Sequence, residues 1–130
     1  MGQASSPTLV LDTGALIAFE RADPRMRALL REALRTRTRI VIPAGALGQA
    51  WRDPARQVVL RALAGDPLTT VPPLDRVLAE AAGVLCGRTR TSDVIDASVA
   101  LTAKRSQAVI VTSDARDLRR LDPTLRIEPV

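Results

Sequence analysis

Four carboxylates bracket one apolar stretch of this chain. Asp93 and Asp96 stand at its start and Asp114 and Asp117 at its end; from Ala97 to Ser113 there is no acidic residue, and the only charges are Lys104 and Arg105. Asp93 and Asp96 are three apart in what reads as the first turn of a helix, so their side chains leave the same face. The run Ala108-Val109-Ile110-Val111 is bounded by polar residues, as expected for a strand buried on both faces, and delivers Thr112-Ser113-Asp114 at its carboxyl end. A second apolar run, Thr8 to Leu11, ends in the same way on Asp12. In a parallel α/β sheet the carboxyl ends of the strands form the rim where ligands bind. If the two strands are neighbours, Asp12 and Asp114 share one cleft with the helix that carries Asp93 and Asp96.

Each acid alone has a plain explanation. Aspartate is a preferred N-cap, and both Asp93-x-x-Asp96 and Asp114-x-x-Asp117 look like caps with an acid at the third helical position, where the helix dipole favours it. Capping does not explain why two separate apolar strands both end on Asp, nor why Asp96 sits among residues that otherwise read as buried. Carboxylates crowded into one cleft repel each other unless a cation neutralises them or their pKa values rise. A donor set of carboxylates, with no His in the chain and no nearby Cys, excludes the usual zinc ligands and points to Mg²⁺ or Mn²⁺, which bind through few carboxylates plus a substrate phosphate. Beside arginine-rich loops, such a site suggests metal-assisted hydrolysis of a phosphodiester.

Other chemistries fit worse. Without histidine no Ser-His-Asp or Cys-His triad can form, and neither a GxxxxGK[ST] loop nor a GxGxxG loop is present. Phosphoryl transfer to Asp12 is a third class, because an aspartate at a strand end also begins receiver domains and haloacid-dehalogenase-like phosphatases. Asp12-Thr13-Gly14 lacks the second acid of the DxD pattern those phosphatases use.

The elements that must position these acids alternate between strand and helix. Residues 1–7 read as a disordered lead-in and residues 8–130 as one domain. Strand one, Thr8 to Leu11, is followed by a helix from Ala15 to Arg21. Asp23-Pro24, cap and first-turn proline, starts a second helix to about Arg37. Strand two, Arg39 to Ile42, leads to a short helix from Gly45 to Trp51 with Gln49 as its one polar candidate for the cleft. Asp53-Pro54 repeats the cap-and-proline start for a helix from Ala55 to Leu63. A short strand from Leu68 to Val71 precedes a helix from Asp75 to about Gly87. Arg88 to Thr91 reads as a basic loop ahead of the acidic helix start. Asp117 to Leu121 is a short helix and Leu125 to Val130 a last edge strand. The expected architecture is α/β, a three-layer sandwich with a mostly parallel sheet of about five short strands.

Composition narrows the partners. The 130 residues fit one domain able to bury a core without disulfides or structural metal. Aromatics make up only 2%, with one Phe, one Trp and no Tyr, so single-stranded nucleic acid cannot be held mainly by base stacking and any such contact must be mainly electrostatic. The 19 Lys+Arg, almost all Arg, give a net charge of +5; that suits phosphate contact, although an arginine-rich proteome would give the same balance. Cys86 reads as a small core residue. No stretch is long and apolar enough to span a membrane and the start lacks the pattern of a signal peptide, so a cytoplasmic protein is expected.

Four segments, in this order and spacing, are LVLDTGALIAFE, VIPAGALGQAWRD, SDVIDASVALTA and VIVTSDARDL. Together they resemble PIN-domain ribonucleases, specifically VapC-type toxins of bacterial toxin–antitoxin pairs, over essentially residues 8 to 128. The resemblance implies a Mg²⁺- or Mn²⁺-dependent endoribonuclease, inhibited by a cognate antitoxin and usually a homodimer. It puts the catalytic acids on Asp12, Asp96 and Asp114, with Asp93 and Asp117 as auxiliary metal ligands or water positioners. The glutamate that the family commonly carries on the helix after strand two aligns with neutral Gln49, a poorer partner for a hard cation. Either Asp93 supplies the missing charge or metal affinity and activity are reduced, and the alternative is a catalytically weak PIN-like module that binds RNA or protein. Arg88, Arg90 and Arg116 flank the acids and could hold RNA phosphates, and Thr13 and Ser113 are expected to cap or hydrogen-bond the acids.

Overall fold

In a computed structural model that describes residues 7–130, the chain forms seven helices and five strands. The expected lead-in over residues 1–7 falls, except for Pro7, outside the described residues. β1 (Leu9–Leu11), β2 (Ile40–Val41), β3 (Thr69–Thr70), β4 (Val109–Thr112) and β5 (Arg126–Pro129) make one sheet in the order β3-β2-β1-β4-β5. Every pairing is parallel. The fold is α/β. Pro129, which has no N–H to give a ladder, lies on the edge strand where that lack is tolerated.

Alternation along the central strands explains why they read as unbroken apolar runs. Val10 and Ile110 belong to one hydrophobic cluster, while Leu11 and Val111 belong to the other. The first cluster takes Ala82 and Cys86 from α5 (Arg76–Thr89), Ala97, Val99, Ala100 and Ala103 from α6 (Val94–Ser106), and Leu118 and Leu121 from α7 (Ala115–Leu121). The second takes Ala15 and Leu16 from α1 (Thr13–Glu20), Met26 and Leu30 from α2 (Pro24–Arg35), and Leu60 and Leu63 from α4 (Val58–Ala64). The sheet is therefore covered on both faces, which gives the three layers. With few aromatics available, the interior is built from small and branched aliphatics, and alanine lets α6 lie close to the sheet. α3 (Ala44–Ala50) comes so near α6 that a Cβ on Gly45 would lie 2.5 Å from Ile95 Cδ1.

The caps follow the sequence where an aspartate precedes a free first turn. Asp23 accepts from the Met26 N–H at 2.9 Å with Pro24 at the first helical position, and Asp75 accepts from the Leu78 N–H at 2.9 Å. The second Asp-Pro pair behaves differently. Asp53 folds a local turn, accepting from the Ala55 N–H at 3.0 Å, and α4 starts at Val58 instead of Ala55. The cause is Gln57, buried despite its polarity. Its Oε1 accepts from the N–H groups of Arg52 and Asp53, at 2.7 and 3.0 Å, and its Nε2 donates to Ala50 O and Glu20 Oε1, at 2.8 and 2.9 Å. That network holds the loop in place and delays the helix by three residues. A second correction concerns Arg88, which lies in the last turn of α5 and not in a loop; the helix runs two residues beyond the expected Gly87. No helix among the described residues is long and apolar enough to cross a membrane.

Candidate active site

The chain moves outward from β1 to β2 and β3, then returns to the other side of β1 as β4. The crevice beyond the carboxyl ends of β1 and β4 is thus the point where the strand order reverses, the usual ligand site of an open parallel sheet. Asp12 follows β1 and Asp114 follows β4 by one intervening residue. Both stand at that edge because of where their strands stop, although neither lines the cleft between α5, α6 and α7 described below.

Asp12 is only 5% exposed and is fixed from two sides. As the N-cap of α1 it accepts from the Ala15 N–H at 2.9 Å. The register that pairs Leu11 with Val111 brings the next residues, Asp12 and Thr112, side by side, and the Thr112 hydroxyl donates to Asp12 Oδ2. The same hydroxyl accepts from the Asp114 N–H at 2.8 Å. One fully buried threonine therefore ties the two strand-end acids together. Burial raises the Asp12 carboxyl above its ordinary value, with the Asp114 charge adding to the rise, while the Thr112 and Ala15 hydrogen bonds pull the other way.

The remaining acids converge from α6 and α7. Asp93 caps α6, accepting from the Asp96 N–H at 2.9 Å. Asp96, half-buried, is pushed up to about 6, first by loss of solvation and then by the charges of Asp93, Asp12, Asp117 and Asp114. Four other carboxylates thus act on one. Asp114 stands at the start of α7 but makes no capping hydrogen bond with its side chain, contrary to the capping expectation; its own N–H is taken by Thr112. Its carboxylate stays available. Asp117, exposed one turn on, is raised chiefly by its hydrogen bond with Asp114 and by that group's charge, against an opposing pull from Arg120.

Thr13 and Ser113 do not do what was expected of them. Thr13 donates to Gln49 Oε1 at 2.7 Å, with Ala46 O at 3.3 Å, so it serves the α1–α3 contact and no acid. Ser113 packs over Gly14, where a Cβ would lie 2.2 Å from its Oγ, so a larger residue after Asp12-Thr13 would force the Ser113 hydroxyl to turn away. Gln49 is exposed, with its carbonyl oxygen engaged by Thr13. A cleft of about 280 Å³ beside the acids is lined by Arg90, Thr91, Ser92, Asp93, Asp96, Asp117, Arg120 and Leu121. Of the three arginines singled out in the sequence, only Arg90 lines it; Arg88 and Arg116 do not. Thr112 and Arg120 escaped the sequence reading. Strand register was the available signal for Thr112, and the spacing of three from Asp117 was the signal for Arg120.

The site is rich in hard oxygen donors and has no soft ones. Among the described residues no three carboxylates stand close enough to enclose a metal ion by themselves. That openness suits Mg²⁺ and Mn²⁺, which retain waters and take one or two carboxylates with the rest of their shell supplied by solvent or phosphate. The mutual repulsion recorded at Asp96 is what such a cation would relieve.

Comparison with known proteins agrees with the fold. A family model described as PIN domain matches residues 9–122. No curated protein matches the chain. Among solved structures, VapBC2 from Rickettsia felis bound to a DNA fragment from their promoter is similar with a TM-score of 0.68 and 14% identity, covering 94% of this chain and 98% of that one. FitAcB from Neisseria gonorrhoeae gives 0.62 and 18%, covering 92% and 96%. FitAB bound to an IR36 DNA fragment gives 0.64 and 17%, covering 94% of each.

Proposed function

We propose, for a chain that belongs to the PIN-domain family, that it is a Mg²⁺- or Mn²⁺-dependent endoribonuclease acting as the toxin of a toxin–antitoxin pair. The observation that carries this reading is the convergence of Asp12, Asp96 and Asp114 at the reversal point of the sheet, where Asp96 is pushed up to about 6 by burial and then by the neighbouring carboxylates. One or two of Asp12, Asp96 and Asp114 would bind the ion directly, with the remaining acids, Asp93 and Asp117 among them, acting through its waters. When bound, the cation supplies an activated water and stabilises the departing oxygen of the phosphodiester.

The chain's own groups set up that chemistry. Thr112 holds the Asp12 carboxylate and the backbone of Asp114 in one fixed relation, so Asp12 is oriented before RNA arrives. Asp93 fixes the first turn of α6 and so the direction in which Asp96 leaves it. Gln49 brings no negative charge, and its oxygen already accepts from Thr13. The negative charge that the family's usual glutamate would bring falls to Asp93.

A protein partner is supported by the similarity to VapBC2, a two-part complex by its printed name, and a cognate antitoxin is the partner proposed. A homodimer and a cytoplasmic location complete the reading. The second reading, a weakly catalytic module that works by binding, is favoured by one observation, the engagement of Gln49 by Thr13. Cleavage of single-stranded RNA with Mn²⁺, Mg²⁺ or chelator separates the two. Asp12→Asn and Asp96→Asn should each abolish metal-dependent cleavage while the fold, followed by circular dichroism, is kept. Cleavage by either variant at the wild-type rate would reject the assignment.

A further inference from the structure

We propose that the cleft beside the acids is a seat for a phosphodiester neighbouring the one that is cut, clamped by Arg90 and Arg120. The proposal deepens the nuclease reading and rests on it.

The two arginines arrive from different elements. Arg90 is the C-cap of α5, and Arg120 sits on α7 one turn beyond Asp117. Both side chains are exposed and both line the 280 Å³ cleft. Neither takes part in the ion pairs within 4.0 Å found among the described residues. Two guanidinium groups thus stand beside three carboxylates without pairing with them, so their planar donor forks remain free for a ligand.

The turn that carries Arg90 is fixed. The Thr89 hydroxyl bonds Leu85 O at 2.8 Å and lies 3.0 Å from the Thr91 hydroxyl, while the Thr91 N–H donates to Cys86 O at 3.0 Å. The guanidinium is therefore presented from a braced support. Thr91 and Ser92 add hydroxyls to the lining, and Leu121 is its apolar member. The acids on the same wall would repel an anion unless a cation is present. In the lining Asp93, Asp96 and Asp117 outnumber the two arginines by one, and Asp12 and Asp114 add negative charge beside it, so a divalent cation lowers the repulsion that a phosphodiester would meet. RNA and metal would load together. With almost no aromatics in the chain, contacts of this kind must carry most of the affinity for RNA.

The test uses the full chain with Asp12→Asn, which leaves RNA intact, and a single-stranded RNA twelve nucleotides long in Mg²⁺. Affinity is measured across a salt series. Arg90→Gln and Arg120→Gln should each weaken binding about tenfold, the size expected for a lost charge-assisted hydrogen bond. Each should also reduce the slope of log affinity against log salt by about 0.7, one phosphate contact on a single strand. Arg90→Lys and Arg120→Lys should keep the slope and lose part of the affinity, because lysine keeps the charge and loses the fork. In the wild-type background the glutamine variants should raise KM and leave kcat within about twofold, the signature of binding shared by ground and transition state. Unchanged slope and affinity in both glutamine variants would overturn the clamp, and so would a fall in kcat at unchanged KM, which would place the arginines at the scissile group. Failure of the nuclease reading looks different: RNA untouched by the wild type while the arginine variants still lose their salt slope.

Discussion

Thr112 is the residue on which the site's geometry turns. Its hydroxyl is the shared partner of Asp12 Oδ2 and the Asp114 N–H, and the side chain is completely buried. Thr112→Val keeps the shape and removes both bonds, leaving a buried carboxylate and an amide unsatisfied. A loss of roughly 2 kcal/mol in denaturant unfolding is expected, with a further rise of the Asp12 pKa, because Thr112 is the largest of the influences that lower it, ahead of the Ala15 N–H. Thr112→Ser should restore most of both. The sequence showed the acids but pointed to Ser113 and Thr13 as their partners; proximity along the chain misled, since the true contact crosses two strands and is set by register. Had Asp12 been laid opposite the residue after Val111, Thr112 would have been found.

Asp96 gives the pH dependence. Its carboxyl is raised from 3.8 to about 6, so the folded protein holds that proton more tightly than the unfolded chain does. The favourable contribution is complete below 3.8 and is lost as pH climbs through about 6. Metal-free protein should accordingly lose stability across that window in chemical denaturation at fixed salt. Asp96→Asn should flatten the loss, and a wild-type profile with no such fall would show that neither burial nor the neighbouring acids raise Asp96.

At the scale of elements, strands were easy to read and helix starts were not. β1 and β4 announce themselves as short apolar runs ending on acids, because both of their faces are buried against helices. The cap at Asp23 was equally legible, since its side chain meets a free N–H three residues on. The identical Asp53-Pro54 signal failed because Gln57, four residues later, satisfies the backbone of the loop and joins it to Glu20 on α1. Local spacing carries no trace of that long-range bond. Gln57→Ala removes all four contacts of a buried amide and should destabilise the protein by about 2 to 3 kcal/mol, read from the midpoint of urea unfolding. Gln57→Glu is a useful companion, because it would face the Glu20 carboxylate and should be worse still. An unaffected midpoint in the alanine variant would mean that the loop and not the amide sets the start of α4.

At the scale of the whole molecule, a parallel sheet with one reversal point makes the site. Nothing in either strand alone brings Asp12 and Asp114 together; the order β3-β2-β1-β4-β5 does, and α6 and α7 then bring Asp93, Asp96 and Asp117 to the same mouth. Alternation of strands and helices made this class of fold readable from the sequence, whereas the position of Arg120 depended on how α7 docks and could not be read.

The most direct test of a shared metal is calorimetric titration of Mn²⁺ into metal-free protein at pH 6 and pH 8, in buffers of different ionisation enthalpy so that released protons are counted. With Asp96 near half-protonated at pH 6, binding should expel about half a proton from this group there and close to none from it at pH 8. Asp96→Asn should bind more weakly and release no proton from this position. An absence of saturable Mn²⁺ binding, or a proton count indifferent both to pH and to Asp96→Asn, would contradict the proposed metal centre.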